Sequence, residues 1–289
     1  MPIAATGELV AEAAAQQRAV AAFNVITLEH AEAVTEGAEA AGSPVILQIS
    51  ENAVAYHRGR PRPLARAAAA LAEQAAVPVS LHLDHVQSTG LLHQAVDCGF
   101  SSAMFDAARL PYAQNLAATQ DAVAWAHERG LWLEAELGEV GGKNGEAPLD
   151  AHAPGARTDP GEARAFVEAT GVDALAVAVG TSHAMTSRDA RIDHGLLAGL
   201  RTAVPVPLVL HGSSGASDEE LARAVAGGIA KVNIGTALNI ALTGAVRDRL
   251  ARDEQGVDPR RYLAEGRDAM ARTVTRLIGV LPQRRPPAA

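Results

Sequence analysis

The sequence predicts an α/β fold, a closed (β/α)8 TIM barrel, and three observations predict it. First, eight short apolar runs recur along the 289 residues, each followed by a helix signal or by a loop and a helix signal. Strict alternation of that kind gives a parallel sheet, and eight units close it on itself. Second, Asn24, Ser50, Asp84, His85, Asp106, Glu136, His183, His211, Asn233 and Thr236 all stand at or just past the carboxyl ends of those runs. That is the rim on which barrels of this kind carry their active sites. Third, the length suits one large domain, burying roughly three quarters of its unfolded surface. A doubly wound open sheet is the alternative, but it would scatter the polar residues. We therefore expect a single barrel over residues 1–281 and a frayed Pro- and Arg-rich tail over 282–289.

Taken in order, Glu8 to Gln17 reads as an Ala-rich helix and Ala19 to Val25 as the first strand, which delivers Asn24. Thr27 can cap a helix through Leu28, Ala31, Val34 and Ala38 that stops near Gly42. Pro44 to Ser50 is the second strand; a polar loop with Asn52 and His57 then leads into a helix over Pro63 to Gln74. The third strand lies in Val77 to His85, an apolar run after Pro whose end sets Asp84 beside His85. A short helix closes at Cys98 and Gly99. The fourth strand, Ser101 to Phe105, delivers Asp106, and a helix from Pro111 ends at Gly130.

The fifth strand, Leu131 to Leu137, carries Glu134 and Glu136 on one face, because strand residues two apart point the same way. Gly138 to Pro160 has no periodicity and reads as a lid or binding loop. The sixth strand, Ala174 to Val179, runs into Gly-Thr-Ser-His and places His183. The seventh, Pro207 to Leu210, runs into His-Gly-Ser-Ser-Gly with His211 first. Ser217 with Glu220 has capping-box spacing. The eighth strand, Lys231 to Ile234, opens through Gly235 and Thr236 into a helix, and a last helix spans Tyr262 to Ile278.

Composition narrows the class of function. A net charge of −8 with 3% aromatic residues offers neither a basic face nor a stacking platform, which excludes a nucleic-acid partner. Cys98 is the one cysteine, so no intrachain disulfide forms. The amino end has no uninterrupted apolar core of the kind a signal peptide or membrane span needs. A cytoplasmic protein with no membrane partner is the expectation.

Two constellations carry chemistry. His85, His183 and His211 bring three imidazoles to one rim beside the acid Asp84, the ligand set of a catalytic zinc site with an open position. The other histidines, among them His57, His82 and His194, read as structural. The small-residue loops after the seventh and eighth strands, His211 to Gly215 and Asn233 to Thr236, each open a helix, where backbone N–H groups converge on phosphate.

The motifs His-Leu-Asp-His, Gly-Phe-x-Ser-x-Met-x-Asp, Glu-Ala-Glu-Leu-Gly-x-x-Gly-Gly, Gly-Thr-x-His, His-Gly-x-Ser-Gly and Lys-Val-Asn-x-x-Thr occur in this order. In this the chain resembles the class II, zinc-dependent ketose-bisphosphate aldolases from about Ala22 to Ile278. The resemblance implies that His85, His183 and His211 bind Zn2+, with Asp106 and Glu136 as alternative ligands, and that Asp84 is the catalytic acid and base. It further implies that Gly212, Ser213, Ser214, Asn233, Ile234, Gly235 and Thr236 hold the phosphate and ketose portion of the substrate, with Asn24, Ser50 and Gly180 beside them. Glu146 in the lid is its candidate proton-abstracting acid, a second divalent or a monovalent cation is allowed for, and relatives are homodimers or homotetramers. The chain departs from the pattern at Ala184 and Thr186, where relatives often carry Gly and Tyr, at Arg188 in place of Lys, and at Arg109.

The implied reaction is reversible cleavage of fructose 1,6-bisphosphate, with tagatose 1,6-bisphosphate or another phosphorylated ketose as alternatives and sugar-phosphate isomerisation or epimerisation as a more distant one. The residue types fit it on their own terms. Cleaving a carbon–carbon bond beside a ketone leaves an enediolate that a metal stabilises, and a Schiff base would need a lysine at a strand's carboxyl end. The only lysines, Lys143 and Lys231, read as a loop residue and the start of the eighth strand.

Overall fold

The computed structural model describes residues 3–138, 140 and 156–281. Eight parallel strands, β1 (Val20–Asn24), β2 (Val45–Ser50), β3 (Val79–Val86), β4 (Ser102–Phe105), β5 (Trp132–Leu137), β6 (Ala174–Val177), β7 (Leu208–Leu210) and β8 (Ile229–Ile234), close into a barrel in sequence order. The described helices are α1 (Thr6–Ala15), α2 (Leu28–Ala41), α3 (Glu51–Tyr56), α4 (Pro61–Gln74), α5 (Thr89–Leu92), α6 (Ala95–Cys98), α7 (Tyr112–His127), α8 (Pro160–Thr170), α9 (His194–Ala203), α10 (Asp218–Ala226), α11 (Thr236–Arg252) and α12 (Pro259–Val280). None is long and apolar enough to cross a membrane. Proposed lid residues 141–155 and the tail 282–289 lie outside the described residues.

The main apolar core lies between the strands and the helices around them, where residues such as Phe23, Leu47, Leu81, Leu133 and Phe166 are fully buried. Two smaller apolar clusters stand apart from it, one of Leu9 and Val10 from α1 with Val20, Ala22, Ile46 and Ala230, another of Ala174, Ala176 and Val209. Buried polar side chains, among them Gln48, Ser80, His82, Ser102, Glu134, Glu136 and Lys231, share the strands with them. Helix α1 covers the amino end: the Thr6 N–H donates to Ser101 Oγ at 3.2 Å, and Thr6 Oγ1 donates to Ser80 Oγ at 3.1 Å.

Two expectations need correcting. Residues 51–56, read as loop, form α3: Ser50 accepts from the Ala53 N–H at 3.2 Å as an N-cap, and Glu51 sits in the first turn, where acid favours the helix. Strand β8 begins two residues early, after a Gly-Gly pair whose Gly228 has φ +115°. Lys231 is therefore the third residue of a strand and fully buried, instead of its first. Strand β3 delivers Asp84 and His85 together, as expected, through an irregularity. In a regular strand Asp84 and His85 would face opposite ways. The β3–β4 register shifts between Leu83 and Val86, and His85 takes φ +50°. This bulge turns both side chains toward the mouth, as bulges beside active sites do.

Candidate active site

The carboxyl ends of the strands surround a chamber of about 480 Å³. Asn24, Ser50, Asp84, His85, Asp106, His183, Gly212, Ser213, Ser214, Asn233, Gly235 and Thr236 all line it. Two expected substrate residues do not. Gly180, with φ +113°, is buried where any Cβ would collide with the Arg191 carbonyl oxygen, so it allows two backbone segments to approach closely. The Ile234 side chain belongs to the apolar core. Glu146 lies outside the described residues.

At the floor of the chamber the three imidazoles converge. Ring centroids of His85 and His211 are 4.8 Å apart, those of His85 and His183 4.9 Å, and those of His183 and His211 5.7 Å. One ligand atom from each of His85, His183, His211 and Glu136 lies within 4.8 Å of every other. Three nitrogens and one buried carboxylate oxygen at such spacing fit a tetrahedral divalent cation such as zinc. Asp106 is not in this cluster. Its Oδ2 accepts from His85 Nδ1 at 2.8 Å, so it orients the ring from behind and leaves Nε2 for the cluster.

Charge in the cluster is tightly compensated. His211 is fully buried between two carboxylates, with Nδ1 2.8 Å from Glu136 Oε2 and Nε2 2.9 Å from Glu134 Oε1. Burial alone would lower its pKa, but hydrogen bonds to Glu134 and Glu136 outweigh that and raise it to about 9. Metal-free His211 is therefore an imidazolium at neutral pH, and a cation taking one of its nitrogens must displace a proton.

Asp84 is 1% exposed and stands beside the cluster. Asn24 Nδ2 donates to its Oδ2 at 3.3 Å and Asn233 Nδ2 to its Oδ1 at 3.4 Å. Burial pushes the carboxyl up, but the imidazoles, His85 foremost, and Lys231 outweigh it and hold the group below its usual range. Asp84 is thus an ionised carboxylate, able to take a proton. Buried Gln48 donates to Asn24 Oδ1 at 2.9 Å, which fixes the Asn24 amide with its N–H toward Asp84.

On the β7–β8 side, Gly212 takes φ +66° and begins a 3-10 turn over Ser213–Gly215. Ser213 Oγ donates to the Asn233 carbonyl at 2.5 Å, tying the two loops together, and the Ala237 N–H near the start of α11 donates to Ser214 Oγ at 3.2 Å. A Cβ at Gly212 would lie 2.6 Å from the Ser182 carbonyl oxygen, and one at Gly235 2.7 Å from Asn24 Oδ1. Both loops are therefore small-residue cradles at helix starts, suited to an anion.

Sequence reading missed the interior partners Glu134 and Lys231 and the orienting role of Gln48. A usable signal existed: a charged residue in an otherwise apolar barrel strand needs a buried counter-charge, and Glu134 shares a face with Glu136. Arg188 donates to the Ala216 carbonyl at 2.9 and 3.0 Å and to Asp218 at 2.5 Å. Its charge is committed there and not to the chamber.

The model of the class-II fructose-bisphosphate aldolases matches residues 4–284. Among solved structures, the chain is similar to the YdjI aldolase of Escherichia coli K12, at 33% identity and TM-score 0.84, over 96% of this chain and 97% of that one. It is also similar to a Coccidioides immitis protein provisionally named a fructose-1,6-bisphosphate aldolase, at 30% identity and TM-score 0.85 over 96% of each chain. A fructose-bisphosphate aldolase of Campylobacter jejuni shares the fold at 24% identity, TM-score 0.81, over 95% of this chain and 93% of that one.

Proposed function

Because the chain belongs to the class-II fructose-bisphosphate aldolase family and is therefore a lyase of the aldolase class, we propose that it is a zinc-dependent enzyme that reversibly cleaves fructose 1,6-bisphosphate to dihydroxyacetone phosphate and glyceraldehyde 3-phosphate. The observation that carries this is the floor of the chamber, where ligand atoms of three histidines and a glutamate lie within 4.8 Å of one another beside ionised, buried Asp84. His85, His183 and His211 would hold the zinc, with Glu136 closing the set.

When bound, the cation supplies Lewis-acid stabilisation of the negative charge that develops on the oxygens beside the broken bond. The residues do the rest. The β7–β8 cradle holds the phosphate of the ketose end and so fixes the C3–C4 bond over Asp84. The Asp84 carboxylate takes the proton from the C4 hydroxyl as that bond breaks, and returns it to the aldehyde oxygen in the synthetic direction. Asn24 and Asn233 hold both carboxylate oxygens in place during the transfer. Lys231, buried and paired with Glu134, is no Schiff-base nucleophile.

A second reading within the same chemistry has support of its own. Gln48, Ser50, Glu51, Asn52 and Gln87 form the chamber wall supplied by β2, α3 and the end of β3. Glu51 is held there by the Gln87 and Ser88 N–H groups at 2.6 and 3.3 Å. Amides, a hydroxyl and a carboxylate suit sugar hydroxyls better than a second phosphate, so this wall favours a ketose 1-phosphate over either bisphosphate. Triose phosphate release is to be measured from fructose and tagatose 1,6-bisphosphates and a ketose 1-phosphate, as purified, after chelation, and with zinc restored. Zinc-restorable cleavage is the expected result, and the fastest substrate names the ketose. Zinc-loaded protein that cleaves none of them refutes this assignment of substrate. Sedimentation checks the homodimer or homotetramer that the family leads us to propose.

A further inference from the structure

A continuous line of buried polar groups runs down the barrel axis beneath the histidine cluster, where barrels of this kind ordinarily pack branched apolar side chains. Lys231 Nζ donates to Glu134 Oε2 at 2.7 Å, and Glu134 Oε1 meets His211 Nε2 at 2.9 Å. On its other side Lys231 Nζ lies 3.5 Å from His82 Nε2, and His82 Nδ1 meets Ser102 Oγ at 2.7 Å. Lys231, Glu134, His82 and His211 are all 0% exposed.

Donor and acceptor counting gives this line one direction. Ser102 Oγ spends its proton on Thr6 Oγ1 at 2.7 Å, so it accepts from His82, whose Nδ1 therefore carries the hydrogen. His82 Nε2 is then a lone pair facing an ammonium, which only donates. That leaves Glu134 as the counter-charge of Lys231 and as the acceptor of a hydrogen from His211 Nε2. Of the two His211 nitrogens, Nε2 is walled off by this pair, while Nδ1 faces Glu136, a member of the ligand cluster.

We propose that Lys231 is a positioning residue for the metal site: by pairing with Glu134 it keeps the hydrogen on His211 Nε2 and so makes Nδ1 the atom that His211 presents to the cation. The proposal rests on the metal-dependent reading above. It explains why a lysine stands mid-strand in a barrel interior, a place that charge occupies only when paired. Carboxylates behind ligating imidazoles commonly fix the ring and its tautomer; here the carboxylate has its own buried cation to keep it there.

The first test uses wild-type protein loaded with zinc. Long-range proton–nitrogen correlation spectra should show His211 with hydrogen on Nε2 and metal on Nδ1. Coordination through Nε2 overturns the proposal without any variant being made. The second test compares wild type with Lys231→Met, which strands the Glu134 charge and is expected to fold poorly, and with Lys231→Met/Glu134→Leu, which removes both charges and is expected to fold. Melting temperature and zinc affinity by chelator competition are read together. The double variant should melt close to wild type yet bind zinc roughly 10- to 100-fold more weakly, with hydrogen on both His211 nitrogens in turn. Zinc affinity within about threefold of wild type would reduce the pair to filling and overturn the proposal. Failure of the wild type itself to bind zinc would instead remove the metal reading on which the proposal stands.

Discussion

The two sides of the chamber are made of different material. From β3 to β6 the working groups are ionisable side chains, Asp84, His85, Asp106, Glu136 and His183. From β7 to β8 they are small residues, Gly212, Ser213, Ser214 and Gly235, whose backbone comes forward because no side chain stands in the way. The first side can move protons and hold a cation, and the second can only bind. Changes on the first should therefore act on turnover and changes on the second on affinity, and that separation can be broken by experiment.

The largest expected effect is on the ionisable side. Asp84→Asn keeps the shape and the zinc ligands but cannot take a proton, and kcat should fall on the order of 10²- to 10⁴-fold. Zinc content, measured alongside, should stay at the wild-type value, and so should KM to within a few-fold. A variant that lost zinc instead would show that Asp84 supports the ligands, and the contrast between the two sides would fail. Next in size is Gly212→Ala on the binding side. A methyl group there meets the Ser182 backbone at 2.6–2.8 Å from a residue with φ +66°. The cradle must open, and KM for the phosphorylated substrate should rise roughly tenfold or more, with kcat at saturation much less changed. Equal loss in both constants would mean that the loop also sets the reacting geometry.

His211 belongs to both sides, since it directly follows β7 and joins the ligand cluster. Its pH behaviour sharpens the comparison. In the metal-free protein its pKa is raised from 6.5 to about 9, so the folded state holds the proton more tightly than the unfolded chain does. The stability this brings is present in full below about pH 6.5 and is lost as pH climbs through about 9. Melting of chelator-treated protein should fall by several degrees over that window, while zinc affinity should rise over the same window as the competing proton leaves. A melting temperature that is flat or increasing from pH 6.5 to 9 would sink the assignment of His211 as a buried imidazolium.

The same division decides how much was legible in the sequence. Eight alternating units and a rim of polar strand ends are local patterns, and the barrel, the histidine triad and Asp84 follow from them. The reading of the other side as a phosphate cradle rests on position alone: Gly-Ser-Ser-Gly means little until it is known to follow the seventh strand. What stayed hidden depended on packing between distant segments. A register shift cannot be read from His-Leu-Asp-His, although two adjacent inward residues require one. The partner of Lys231 is 97 residues away, and an early start to β8 is masked by a Gly-Gly pair that looks like a turn. Asp106 was expected as an alternative ligand from the family resemblance alone; its 2.8 Å contact with His85 Nδ1, which orients that ring, depends on packing between β3 and β4.

The smallest expected effect tests a departure that lies where the two sides meet. Ala184 lines the chamber directly after His183 and takes φ +57°, a left-handed conformation that favours Gly. A Cβ in that region costs about 1 kcal/mol or slightly more, part of which Gly gives back through its greater freedom in the unfolded chain. Ala184→Gly should therefore stabilise the protein by roughly 0.5 kcal/mol, a rise of about 1–2 °C in melting temperature at this chain length. Its effect on KM is the more telling readout. If the alanine methyl group is part of how this chamber selects its ketose, the glycine variant should shift the ratio of kcat/KM values between fructose 1,6-bisphosphate and the other ketoses tested. An unchanged ratio of kcat/KM values would confine Ala184 to local strain and leave specificity with Gln48, Glu51, Asn52 and Gln87 on the other wall.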